Sequence, residues 1–156
     1  KIQHENGVMV RGVNNLMIRL SRCCSPVPGD QIVGYVTRGR GISVHRKDCP
    51  NLLNEPDLQQ RTIPVEWEST GQLGADYVTE IRVVGFDRNG LINEVLHVVN
   101  HSVKNLRNVN GKVDDKTSTA TVTIKVAISN TAQLEDLMVK LRNIPDVYEV
   151  TRVNNK

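Results

Sequence analysis

The strongest constraint on the fold is the order of hydrophobic periods after residue 77. Residues 78–86 are β-branched and apolar enough for a buried strand. In LINEVLHVVNHSV, Leu91, Val95, Val98 and Val99 recur at helical spacing, and Ile92 with Leu96 widens that face. Residues 106–114 read as a strand, Asp115 and Lys116 as a tight turn, and residues 117–129 as another strand. There Val122, Ile124, Val126 and Ile128 alternate with Thr121, Thr123 and Lys125, the period of a sheet with one buried face. Leu134, Leu137, Met138 and Leu141 mark a second amphipathic helix, and residues 147–153 a closing strand. The order β-α-β-β-α-β predicts a ferredoxin-like split βαβ arrangement.

The first part of the chain is less regular. GVMVRG, LMIRL, QIVGYVT and GISVH read as short strands, and VTRGRGIS places glycines around Arg40 as a tight hairpin requires. Asp48 sits where a helix N-cap belongs, with CPNLLNE as a short helix behind it. IPVEW reads as a strand that closes this unit, and STGQLGAD as a linker without periodicity. Charge separates the same two parts. Residues 1–61 carry nine Lys and Arg against five Asp and Glu, net +4, while residues 62–156 carry eleven against twelve, net −1.

Aromatic residues are scarce, so Val, Ile and Leu must build the core. No apolar run approaches the roughly 18 residues of a membrane span. The chain opens KIQHENG, without an initiating Met, and reads as a piece of a longer protein. Three cysteines, two of them adjacent, point to a reducing, cytoplasmic setting with thiols as ligands, reactive groups or packing.

Cys23, Cys24, His45 and Cys49 lie within 27 residues, and zinc prefers thiolate and imidazole in tetrahedral geometry. The adjacent pair is awkward, because neighbours in an extended strand face opposite sides. One cysteine then binds while the other packs, with Asp48 or water completing the shell; the competing reading is three thiols buried in a small core. A Cys–His nucleophile is the enzymatic alternative, but no oxyanion donors or third orienting group can be named for it. A Walker phosphate loop and an HExxH helix are absent from the sequence, so the chain reads as non-enzymatic.

Arg38, Arg40, Arg46 and Lys47 share a window, 31–47, with no acidic residue. On a glycine hairpin such charges can approach phosphates; the bland reading is a solvated basic face. Tyr35 is the window's one aromatic, which argues against binding single strands by stacking and for backbone contacts to structured RNA. In FDRNGL, Gly90 near a helix start would let a ligand carboxylate approach free N–H groups, and Asp87 could hold an ammonium. The alternative is that Asn89 and Gly90 only turn the chain and cap the helix.

CCSPVPGDQIVGYVTRGRGISVHRKDCPN, then IPVEWE and YVTEIRVVGFDRNGLINEVLHVVN, resemble in order the C-terminal region of the long Rel/SpoT family of bifunctional (p)ppGpp synthetase/hydrolases. The resemblance covers essentially the whole chain. It implies an α+β protein: a RIS (conserved-cysteine, zinc-finger-like) domain of β-hairpin and helix over 1–67, a linker over 68–76, and a ferredoxin-like βαββαβ ACT domain over 77–156. It further implies a regulatory fragment, with the parent's GTP pyrophosphokinase and (p)ppGpp hydrolase domains elsewhere. Expected partners are ribosomal RNA on the ribosome, the remaining domains of the parent and a branched-chain amino acid. Carried over, Cys23, Cys24, His45 and Cys49 form the cysteine site, with zinc as its expected metal. Arg38, Arg40, Arg46 and Lys47 face RNA, and Asp87, Asn89, Gly90, Leu91 and Ile92 form the effector loop. A purely structural homodimerisation module is the competing function.

Overall fold

A computed structural model describes residues 2–13, 15–39, 41–68 and 76–155. The chain divides into two compact units, residues 1–75 with 154–156, and residues 76–153.

The first unit is built from two small sheets. β1 (Ile2–Glu5) and β2 (Val8–Arg11) form a hairpin through Asn6 and Gly7, both at positive φ (54° and 77°), as a type I′ turn demands. The Asn6-Gly7 step overlaps the start of GVMVRG, and the strand before it, IQHE, has no apolar alternation to mark it. β3 (Ile18–Leu20) lies parallel to β5 (Gly41–Arg46), and β5 is antiparallel to β4 (Ile32–Thr37). α1 (Pro50–Leu53) and α2 (Leu58–Arg61) follow as single turns.

IPVEW is not one strand. β6 (Thr62–Ile63) joins β4, and β7 (Glu66–Trp67) joins β2, so the segment changes sheets. Pro64 lies between them and cannot donate to a ladder, which is where the break falls. The sheets pack around Val8, Val10, Ile18, Ile32, Ile42, Val44 and Val65, all nearly fully buried. Each such side chain contributes about 1.5–3 kcal/mol on burial.

Side chains replace a missing ladder between β1 and the Leu16–Ile18 backbone. Gln3 bonds both the N–H and the carbonyl of Leu16. Glu5 accepts from Ile18 N–H at 2.9 Å, and Asn6 donates to Ile18 O at 2.8 Å.

The second unit has the predicted order: β8 (Tyr77–Phe86), α3 (Leu91–Ser102), β9 (Leu106–Asp114), β10 (Thr119–Ile128), α4 (Thr131–Arg142) and β11 (Val147–Arg152). Its antiparallel sheet runs β11-β8-β10-β9. Val122, Ile124, Val126 and Ile128 of β10 are buried, as the alternation required. Leu91, Val95 and Val99 of α3, and Leu134, Leu137, Met138 and Leu141 of α4, complete the core. Val98, Ile92 and Leu96 are only partly covered. Asn130 caps α4 by accepting from Gln133 N–H at 2.8 Å, and Gln133 accepts in turn from Ser129 N–H at 2.8 Å, a reciprocal box.

Gly41 leaves no room for a side chain. It has φ of 88°, and a Cβ there would run into the Met17 backbone beside the 2.7 Å bond from Ile42 N–H to Met17 O. Gly41→Ala should lower first-unit stability by more than about 1 kcal/mol. Urea unfolding followed at Trp67 is the measurement, and an unchanged midpoint would refute this account.

Candidate metal centre

The adjacent cysteines do not lie in a strand. The chain turns at residues 22–24 directly after β3, closed by Ser25 N–H donating to Ser21 O at 3.0 Å, with Ser25 at φ 48°. Successive side chains in a turn need not oppose each other, and here both thiols reach the same ring. Cys23 Sγ lies 3.5 Å and Cys24 Sγ 3.8 Å from His45 Nδ1. The expectation that only one cysteine would face the site is therefore corrected by local geometry.

His45 comes from β5, on the sheet face opposite Ile42 and Val44. Cys49 is itself the N-cap of α1, with extended backbone (φ −66°, ψ 120°) and Pro50 behind it. That corrects the expectation for Asp48, which is exposed and lies 3.7 Å from Arg46 Nε. The Cys49 and Cys23 sulfurs are 3.4 Å apart. One ligand atom from each of the four residues lies within 4.8 Å of all the others.

Zinc–sulfur and zinc–nitrogen bonds of about 2.3 and 2.0 Å at tetrahedral angles put neighbouring ligand atoms roughly 3.5–3.8 Å apart. The three separations of 3.4, 3.5 and 3.8 Å fit that frame and the other pairs lie within 4.8 Å, and a soft donor set of three sulfurs with one imidazole nitrogen suits zinc. Hydrogen bonds brace the sulfurs: Arg46 N–H donates to Cys24 Sγ at 3.3 Å, and the Ser21 hydroxyl lies 2.9 Å from Cys23 Sγ. Leu52 and Tyr35 pack beside the cluster, with the Arg61 guanidinium 5.3 Å from the Tyr35 ring centroid.

The thiols differ electrostatically. Burial pushes Cys24 up to about 12, against the opposing bond from Arg46, and the neighbouring Cys23 and Cys49 sulfurs add to the rise. Burial also raises Cys49. At Cys23 burial acts upward, but hydrogen bonding from Ser21, Cys49, Asn51 and Cys24 outweighs it and leaves the thiol below its ordinary value. Burial lowers His45, with Glu55 opposing, which favours the neutral ring that ligates.

The basic residues are not one cluster. Arg38 is exposed at the β4–β5 tip beside Gly39 (φ 72°), whereas Arg46 pairs with Ile32 at the far end of the ladder. The run of β4 from Thr37 back to Ile32 puts the two ends about 17 Å apart. The Arg46 side chain is only 11% exposed. It lines a cavity of about 340 Å³ with Lys47, Asp30, Gln31 and Asp48. Arg40 lies outside the described residues. Arg19 and Arg22, not singled out from the sequence, flank Cys23 instead; a spacing argument confined to 31–47 could not include them.

At the α3 entry Gly90 is the N-cap in left-handed conformation (φ 84°) without a side-chain cap. Asp87, Asn89 and Gly90 are at the surface, Ile92 is partly covered, and Leu91 is core at 2% exposure. The residue that fixes this loop is Arg88. Its Nε donates to Asp146 Oδ2 at 2.7 Å, Nη2 donates to Pro145 O at 2.9 Å, and Nη1 pairs with Glu94 Oε1 at 3.1 Å.

The chain thus joins, in sequence order, a compact unit that gathers three cysteines and a histidine and a βαββαβ unit with a four-stranded sheet. Residues 8–68 match the RelA/SpoT RIS domain model, and residues 73–152 match the ACT domain model. The chain belongs to the ACT domain family and, with its RIS domain, is a regulatory region of the RelA/SpoT type. It is 37% identical to a GTP pyrophosphokinase of Haemophilus influenzae over 98% of this chain and 21% of that protein. It is 38% identical to one of Escherichia coli K12 over 96% of this chain and 20% of that protein. The chain thus spans about a fifth of the length of these relatives. The ACT domain from a GTP pyrophosphokinase of Chlorobium tepidum aligns at 31% identity and a TM-score of 0.46, covering 51% of this chain and all of that one. No helix among the described residues is long and apolar enough to cross a membrane.

Cys24 gives a pH prediction for the metal-free chain. Unfolded, the thiol ionises at its ordinary 9.0; folded, it holds its proton to about 12. Stability is therefore fully present below the unfolded value and is lost as pH rises from 9.0 towards 12. Urea midpoints should fall across that interval, and Cys24→Ser should remove this component of the fall. Parallel profiles for the two proteins would contradict it.

Proposed function

We propose that the chain is the regulatory part of a stringent-response (p)ppGpp synthetase/hydrolase of the cytoplasm. Its RIS domain holds one zinc ion through Cys23, Cys24, His45 and Cys49 and docks on ribosomal RNA. Its ACT domain takes a branched-chain amino acid at the loop of Asp87, Asn89, Gly90, Leu91 and Ile92. Occupancy at either place biases the parent's catalytic domains between synthesis and hydrolysis.

The observation that carries this reading is the convergence of four ligand atoms within 4.8 Å, from a turn, a strand and a helix cap. In a unit with two short sheets and two single-turn helices, a metal would fix that convergence and stiffen the surface around it. For RNA, the support is the exposed Arg38 and Lys47, the Arg19–Arg22 pair and the net +4 of residues 1–61, with Arg40 completing the expected set. For the amino acid, the support is the exposed left-handed Gly90, behind which first-turn N–H groups have no intrahelical partner. Leu91 is core, and its N–H donates to Arg88 O at 3.3 Å, so it would shape the loop rather than hold the ligand.

The homodimer reading also has an observation behind it. β9 is a nine-residue edge strand paired only with β10 among the described residues, and Val113 on it is 47% exposed. Sedimentation and calorimetry with valine, leucine or isoleucine separate the readings. A stable dimer with no heat of binding for any of the three would favour the structural module.

Protein purified without chelator should hold about one zinc per chain, and Cys24→Ser or Cys49→Ser should lose it. Because Cys24 and Cys49 are protonated near neutrality, zinc uptake should release protons and weaken as pH falls. Wild-type protein with clearly substoichiometric zinc would restore the buried-thiol reading. In the parent protein, Arg38→Glu should weaken ribosome association and lower the salt slope by about 1 per lost phosphate contact. Unchanged association would remove the hairpin tip from the interface.

A further inference from the structure

Cys23 differs from the other two thiols in its access. Cys24 and Cys49 are 1% and 0% exposed, whereas Cys23 is half-buried and opens onto a groove of about 660 Å³. Arg19 and Arg22 line the groove with Ser21 and Ser43, and no acidic residue among the described residues does. At the inner side of Cys23 the Cys49 sulfur lies at 3.4 Å. A reachable thiol, a cationic approach and a buried second thiol within reach are the parts of a thiol–disulfide exchange site.

We propose that Cys23 exchanges with small disulfides that carry carboxylates, and that Cys49 resolves the adduct to a Cys23–Cys49 disulfide. The Cys23 thiolate attacks one sulfur of RS–SR; the Cys23–SR bond forms, the S–S bond breaks, and RS⁻ leaves with the proton the thiol gave up. The Cys49 sulfur then attacks the Cys23 sulfur, forms the internal disulfide and expels the second RS⁻, which takes the Cys49 proton. The chain loses two electrons and two protons, and the small disulfide becomes two thiols.

Cys24 is the wrong resolving partner on two counts. Its sulfur is held by the Arg46 N–H, and adjacency in the chain makes a ring with Cys23 strained. The two guanidiniums supply the selectivity, since a cationic groove raises the encounter rate of an anionic reagent and leaves a neutral one unaffected. The product leaves only Cys24 and His45 of the four donors, too few for a structural zinc site. That consequence rests on the zinc reading; the exchange does not.

The test uses the reduced, metal-free chain with oxidised glutathione as the probe, acid quenching and peptide mapping. The first adduct should appear on Cys23 and convert to the Cys23–Cys49 disulfide. Cys49→Ser should stop at the mixed disulfide on Cys23. Arg19→Gln with Arg22→Gln should slow the reaction with oxidised glutathione roughly tenfold and leave that with neutral 2-hydroxyethyl disulfide unchanged. If Cys49→Ser fails to fold, the order of adducts in the wild-type time course decides alone. A first adduct on Cys24 or Cys49, a Cys23–Cys24 product, or an arginine variant as fast as wild type would overturn the proposal. In a parallel arm, zinc-loaded protein should release its ion in step with the disulfide, read by a chromogenic chelator. Retention of zinc after the disulfide forms would overturn the proposed dismantling. Absence of zinc in fresh protein would remove the metal reading and leave the exchange result standing.

Discussion

The turn from Ser21 to Ser25 is the constraint on which the first unit's chemistry depends. Without the 3.0 Å bond that closes it, Cys23 and Cys24 would continue the direction of β3 and point to opposite sides of the sheet. With it, both sulfurs lie within 3.8 Å of one imidazole nitrogen. The other two donor residues, His45 and Cys49, need no comparable device. His45 falls on the correct face because β5 alternates, with Ile42 and Val44 turned to the core between the sheets. Cys49 is placed because Pro50 starts a helix there, so the preceding residue is extended at the cap. Three local rules thus converge on one point, and each is set within a few residues of the ligand it positions.

Legibility in the sequence followed how local each rule was. The second unit could be read almost whole: the alternation of Val122, Ile124, Val126 and Ile128 and the spacing of Leu134, Leu137, Met138 and Leu141 are direct records of burial. The four residues whose donor atoms converge were also legible, as residue types within a short span. What could not be read was the turn that makes adjacent cysteines usable, because its closing bond is backbone to backbone and carries no side-chain signature. The split of IPVEW had a cue in Pro64, but the choice of two different sheets for its halves depends on β2 and β4, which are distant in sequence. The basic window meets a related limit. Sequence proximity joined Arg38 to Arg46, while a hairpin sends its two ends apart. Meanwhile Arg19 and Arg22 approach Cys23 from before the window.

In the second unit a single side chain does the work of several. Arg88 reaches Asp146, Pro145 and Glu94 together, so one guanidinium ties the entry of α3 to the turn before β11. All these contacts are at the surface, where each ion pair alone contributes little. Their effect is geometric: together they tie the loop before Gly90 to the turn before β11 and to the first turn of α3. A ligand at that turn would meet a loop already ordered, and would lose less freedom on binding than one that had to order it.

The same reasoning separates stiffness from access in the first unit. A structural zinc site benefits from complete burial, and two of the three sulfurs have it. Cys23 does not, and its exposure cannot be blamed on a shortage of apolar residues, since its neighbour Cys24 is covered by the same turn. Within the turn Arg22 is exposed, Cys23 half-buried and Cys24 buried, so of the two thiols Cys23 is the one nearer the solvent. One consequence is intrinsic to the geometry: the groove of Arg19 and Arg22 opens onto Cys23 and not onto the sulfurs behind it. A reagent that enters there meets the Cys23 sulfur before the buried Cys24 and Cys49 sulfurs.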